Sequence, residues 1–256
     1  MAYRKIPAQP GSSSRDKFVS VSRGLVARRY GNTRTYRGTC TGGSWMTVLL
    51  GPDALAGQIG GSSTDGSGLG SVITPLREYS PNKNWVAGHL LSASLGGSGI
   101  HDCNLTALTT AANNAHKTFE QHVEKMLAWC NLMDRNIRDA DAWYGVEYSV
   151  SVSPLTYAKS PTPDDMYSYV YSHLTLNYGF VKLLKFPAGS RPSDKQHPPN
   201  KGEPLRSTDA NWPALLNFMD ACPWPTPQNP NNVKNLTVSA LTNGGRTLSV
   251  EIHNQL

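Results

Sequence analysis

The stretch 85–120, WVAGHLLSASLGGSGIHDCNLTALTTAANNAHKTFE, constrains this chain more than any other. It gathers three of the seven histidines, a glycine cluster and a polar helical run. Trp85-Val86-Ala87-Gly88-His89-Leu90-Leu91 predicts a strand. Gly88 removes a side chain next to His89, so another backbone or a ligand can come close there. Leu95-Gly96-Gly97-Ser98-Gly99 then forces a turn. Asn104-Leu105-Thr106 follows, and a helix begins near Thr109 or Thr110, either of which can cap it. The expected local order is strand, irregular loop, helix.

The helix has two faces. At 100° per residue, His116, Glu120 and Glu124 fall within about 60° of Asn113. Phe119, Val123, Met126 and Cys130 form a neighbouring apolar stripe. One face therefore packs, and an adjacent row offers an amide, an imidazole and two carboxyls. A half-exposed surface helix is the plain alternative, and Lys117 and Lys125 further round the wheel are its ordinary solvated charges. For His89 the plain alternative is a core histidine satisfied by one hydrogen bond. Gly88 before it and the Asn/Glu helix after it favour a functional role. His101, beside Asp102, reads as an exposed loop residue, and His122, off the polar row, as solvated.

These pieces, in this order, resemble the ββα-metal (His-Me finger) core of the DNA/RNA non-specific endonucleases, closest to a toxin-associated branch. The matching motifs are Gly88-His89-Leu90-Leu91, Leu95-Gly96-Gly97-Ser98-Gly99, Asn104-Leu105-Thr106, Ala112-Asn113 with His116, and the trailing Glu120. The resemblance covers 85 to about 124. It implies an α+β fold with a ββα-metal core and additional antiparallel strands. It also implies metal-dependent, sequence-nonspecific hydrolysis of DNA or RNA phosphodiesters.

Carried over residue by residue, His89 matches the general base that takes a proton from the attacking water. Asn113 matches the amide ligand of Mg²⁺ or Mn²⁺. Glu120 resembles the helix glutamate that orients metal-bound water. His116 is either a further ligand or a partner that supports one. Asn104 is expected to hold the loop against the strand through its side chain. Effector use, an immunity protein or delivery apparatus as partner, and export from a bacterial cytoplasm by a specialised secretion or contractile injection system follow from the same resemblance.

One departure stands out. Many members carry Asp-Arg-Gly-His, whose arginine contacts phosphate or stabilises the leaving group, whereas here the positions read Val86-Ala87-Gly88-His89. Arg77, Lys83, Arg135 and Arg138 are the candidate replacements. The departure also admits two rivals: a nuclease-like fold that binds nucleic acid or protein without cutting, and a structural or cargo component of a secretion assembly.

The rest of the chain sets the frame. With 256 residues it can bury a sizeable core, as one large domain or as one domain plus an accessory lobe. A net charge of +6 suits an anionic partner such as nucleic acid. Four cysteines without a C-x-x-C pair speak against a zinc knuckle and for buried free thiols. No apolar run is long enough to span a membrane, and the start lacks the apolar core of a secretory signal. The expected organisation is a flexible arm over 1–18, a nuclease-like domain over 19–185, and a Pro-rich excursion with a C-terminal hairpin over 186–256, packed on or beside the domain. Within it, 51–72 reads as a Gly/Ser loop, 131–140 as a second short helix, 146–152 and 167–184 as strands, and 211–222 as a helix. Two alternating runs around Asn243-Gly244-Gly245 predict the hairpin.

Overall fold

The computed structural model describes residues 3–6, 17–20, 24–55, 64–139, 142–157, 164–184, 203–227, 229–238 and 247–254. An N-terminal pair, β1 (Tyr3–Ile6) and β2 (Lys17–Ser20), runs antiparallel. Next come β3 (Leu25–Tyr30), a small hairpin of β4 (Thr33–Tyr36) and β5 (Thr39–Gly43), β6 (Trp45–Leu50) and helix α1 (Gly70–Tyr79). Strand β7 (Trp85–His89), strand β8 (Leu105–Thr109) and the long helix α2 (Thr110–Ile137) follow in succession. The chain continues through β9 (Ala142–Val152), β10 (His173–Leu184), β11 (Glu203–Pro204) and α3 (Trp212–Ala221), and closes with β12 (Val233–Val238) and β13 (Thr247–His253).

Antiparallel sheets and helices make this an α+β fold. The main sheet runs β12-β13-β10-β9-β6-β3, with β11 on β10, and the second runs β4-β5-β8-β7. Alternation explains the main sheet: Val146, Tyr148, Val150 and Val152 of β9 turn inward, as do Leu174, Leu176, Tyr178 and Phe180 of β10. Helix α2 covers that face with Ala112, Ala115, Phe119, Val123, Met126, Cys130 and Met133, spaced at three and four residues. A second core, around Leu69, Val72, Leu76, Trp85 and Leu105, lies between α1 and the smaller sheet. The smaller sheet thus carries 85–109 between two packed layers.

Several expectations change. The separate short helix at 131–140 does not exist, because α2 continues unbroken to Ile137. No Gly or Pro interrupts it, and Asn131 donates its side-chain N–H to Asp53 Oδ1 at 2.7 Å instead of ending the helix. The Gly/Ser loop ends earlier than expected, since α1 starts at Gly70 and buries Val72, Ile73 and Leu76. Strand β10 starts at His173. Residues 166–169 form a short 3₁₀ turn, which Asp165 caps by accepting from Tyr167 N–H at 2.9 Å.

At the C-terminal end, β13 pairs along β10 from His173↔His253 to Gly179↔Thr247. The Asn-Gly-Gly turn of the hairpin lies outside the described residues, as do 185–202 and most of the expected N-terminal arm. The four cysteines are free, three of them buried. Among the described residues, no helix is long and apolar enough to cross a membrane.

Candidate active site

β7 and β8 pair antiparallel from Trp85↔Thr109 to His89↔Leu105, and β8 runs directly into α2. Thr109 is the cap: its backbone is still extended, as the last residue of β8, and its hydroxyl accepts from Ala112 N–H at 3.2 Å. Asn254, just past β13, holds the same junction. Its carbonyl accepts from Thr109 N–H at 2.9 Å, and its amide donates to Ala107 O at 3.0 Å. The start of the helix is therefore fixed from both sheets.

This geometry brings Asn113 to the strand. A Cβ on Gly88 would lie 3.0 Å from Asn113 Oδ1 and 2.4 Å from Leu108 Cδ1. The missing side chain is what lets the amide oxygen rest against the backbone, one residue before His89. His89 is half-buried at the strand's last position.

The loop after His89 is tied down by polar contacts. Asn104 is fully buried, accepts from Leu91 N–H at 2.9 Å, and donates to Leu91 O and Ser98 O, both at 3.0 Å. A Cβ on Gly97 would sit 1.7 Å from Leu91 O, so only glycine permits this return of the chain. Arg28 of β3 donates to Gly96 O.

The polar row of α2 is not solvated. His116 and Glu120 are buried between the helix, the loop and the main sheet. Burial, and then the neighbouring charge of His89, lower the His116 pKa to about 4, so it is neutral at pH 7. Its Nε2 lies 2.7 Å from Tyr148 Oη. Burial raises the Glu120 pKa to about 8, so that carboxyl is protonated at pH 7. Its Oε1 accepts from Ser92 N–H at 2.7 Å. Glu124, nearer solvent, accepts from Ser94 Oγ at 2.5 Å.

His122 corrects the expectation of a solvated residue. It is buried, with Nδ1 at 2.9 Å from Tyr178 Oη and Nε2 at 2.7 Å from Pro223 O. His101 is half-buried ahead of the turn at 102–104, not an exposed loop residue.

The motif's charged pair has no counterpart on β7, where Val86 packs on the main core and Ala87 on the second. Arg77 donates to Trp85 O at 2.8 Å, at the opposite end of the strand from His89. Arg135 lies 22 residues along α2 from Asn113, roughly 33 Å at 1.5 Å per residue, and Arg138 lies beyond it. Lys83 precedes β7, six residues and roughly 20 Å of extended chain from His89. Tyr148, Ser92 and Arg28 are contacts that the sequence does not announce: each comes from a segment that reads as ordinary strand or loop.

Among the described residues, no group of three or more His, Cys, Asp or Glu side chains gathers as a metal site. Asn113 falls outside that set, and its amide oxygen is a hard donor of the kind Mg²⁺ accepts alongside retained waters. No family model matches the chain, and no curated protein matches it. It is similar to a solved structure described as Sda1 nuclease with bound zinc ion, at 13% identity and a TM-score of 0.37, over 72% of this chain and 83% of that one.

Proposed function

We propose that the chain is a metal-dependent endonuclease of the ββα-metal type that hydrolyses DNA or RNA phosphodiesters without sequence preference. The observation that carries this reading is the Asn113 amide oxygen seated in the space Gly88 leaves open, beside His89, on an antiparallel strand pair that runs into a helix. His89 acts as general base and receives the proton of the attacking water. Asn113 supplies a ligand to Mg²⁺ or Mn²⁺; when bound, the metal stabilises charge on the phosphoryl oxygens and the leaving group.

His116 serves as a support, since it is buried and its Nε2 is engaged by Tyr148 Oη. Glu120 holds the loop by accepting from Ser92 N–H, and burial favours its protonated form at neutral pH. Nonspecific binding comes from backbone contacts by a chain of net charge +6. A toxin or effector role, with an immunity partner and delivery to a target cell, rests on the resemblance of 85–124 to the toxin-associated branch.

The test is incubation of plasmid DNA and of a structured RNA with the full chain in Mg²⁺, in Mn²⁺ and in EDTA. Cleavage in either metal that stops in EDTA is the expected result. Intact nucleic acid in both metals, together with salt-sensitive binding, would instead establish a nuclease-like fold that binds without cutting.

A further inference from the structure

Charge that develops on a reacting phosphate is stabilised best by a cation held beside it. Strand β7 carries no Lys or Arg, and Arg77, Lys83, Arg135 and Arg138 sit well away from its His89 end. Arg28 of β3 is half-buried and taken up by Gly96 O.

Helix α2 carries a nearer cation. Lys117 follows Asn113 by four residues, so the two stand one above the other on one face, with Cβ atoms about 5–6 Å apart. Helical side chains lean toward the helix N-terminus, so a residue at position 117 covers the turn that carries Asn113. Lys117 and Asn114 are exposed, and Asn113 is half-buried. The loop after β7 meets the helix further along. There Ser92 N–H donates to Glu120 at 2.7 Å, and Ser94 Oγ donates to Glu124 at 2.5 Å.

The helix gives Lys117 no ionic partner of its own. Its neighbours three and four positions away are Asn113, Asn114, Glu120 and Gln121. Glu120, the one acid among them, is buried and holds Ser92 N–H. Lys125 is equally exposed, but it lies roughly 18 Å along the helix from Asn113 at 1.5 Å per residue.

We propose that Lys117 is the phosphate-binding cation of this site, one helical turn from Asn113 on the same exposed face of α2. Its ammonium contacts a nonbridging oxygen of the nucleic-acid backbone as a point charge, with no proton transferred. The consequence for rate rests on the nuclease reading. The consequence for binding does not.

The experiment compares Lys117→Ala, Lys117→Arg and Lys125→Ala in the full chain. Binding of a labelled mixed-sequence DNA duplex is measured in EDTA across a range of salt, and plasmid cleavage is measured in Mg²⁺. Lys117→Ala alone should make the slope of log affinity against log salt shallower by about 1, the share of one phosphate contact. It alone should lower the cleavage rate by about 100-fold, the lower end for loss of one charge-stabilising group. Lys117→Arg should keep the slope and recover most of the rate, and Lys125→Ala should leave both near wild type. All three positions are exposed changes, so their melting temperatures should match the wild type.

Equal losses from Lys117→Ala and Lys125→Ala, or no change from either, would overturn the proposal. A salt slope that depends on Lys117 in a protein that cuts no DNA would support the phosphate contact and refute the nuclease reading. A wild-type chain that neither binds nor cuts would overturn both.

Discussion

The two histidine–tyrosine pairs of α2 use the same chemistry for different ends. His116–Tyr148 and His122–Tyr178 lie six residues apart on one helix, face two tyrosines paired across β9 and β10, and are both buried. His122 ends on Pro223 O, a plain structural bond. His116 instead feels the neighbouring charge of His89, which helps to lower its pKa. A buried histidine therefore says little about function by itself. What surrounds it decides the matter, and a helix can carry one of each kind six residues apart.

The two histidines should separate most widely from one another at the reacting group. His89→Ala should lower plasmid cleavage by about 100-fold or more with little change in Tm, the loss expected for a general base. His122→Ala should do the reverse. It strands Tyr178 Oη and Pro223 O and should cost about 1–3 kcal/mol by denaturant unfolding, with the cleavage rate per folded molecule unchanged.

Gly88→Ala tests the seat of Asn113. The added methyl meets Leu108 at 2.4 Å and Asn113 Oδ1 at 3.0 Å. It should cost about 1–3 kcal/mol from overpacking and weaken Mn²⁺ binding measured by titration. An unchanged affinity would remove Asn113 as the ligand.

The smallest effect is in the pH dependence of stability. The Glu120 pKa is raised from 4.5 to about 8, so the folded state holds a proton there that the unfolded state has lost, and stability falls as pH rises between those values. The His116 pKa is lowered from 6.5 to about 4, so stability rises with pH across that window. The two slopes oppose each other below about 6.5, leaving Glu120 alone above it. Glu120→Gln should flatten the fall in unfolding free energy between about pH 6.5 and 8, provided the substituted amide oxygen still accepts from Ser92 N–H. A fall that persists in the variant would place the titrating group elsewhere.

Much of this was legible in the sequence because it is local. The strand that starts at Trp85, the glycine turn, a threonine cap at 109 or 110 and the helix after it depend on residues within a few positions of one another. So does the alternation of 146–152, though β9 itself starts four residues earlier, at Ala142. Helix α1 was not legible, because glycines and serines hide its start and its stability comes from burying Val72, Ile73 and Leu76 against β7. The length of α2 was hidden for the same reason: Asn131 reads as a stop until Asp53, 78 positions away, accepts its N–H.

The burial of His116, Glu120 and His122 was illegible for a further reason. A helical wheel shows which residues share a face, but not that β9 and β10 present tyrosine hydroxyls to that face. In VEYSVSV, Tyr148 reads only as an inward strand residue. Its hydroxyl acquires meaning from a histidine 32 positions earlier.

The most direct test sets His89→Ala beside His122→Ala, each with wild-type protein, in plasmid cleavage under Mg²⁺ at equal folded concentration. The expected result is that the His89 variant loses cleavage and the His122 variant keeps it. Cleavage that survives His89→Ala, or falls equally in both, would contradict the assignment of the reacting group to the end of β7.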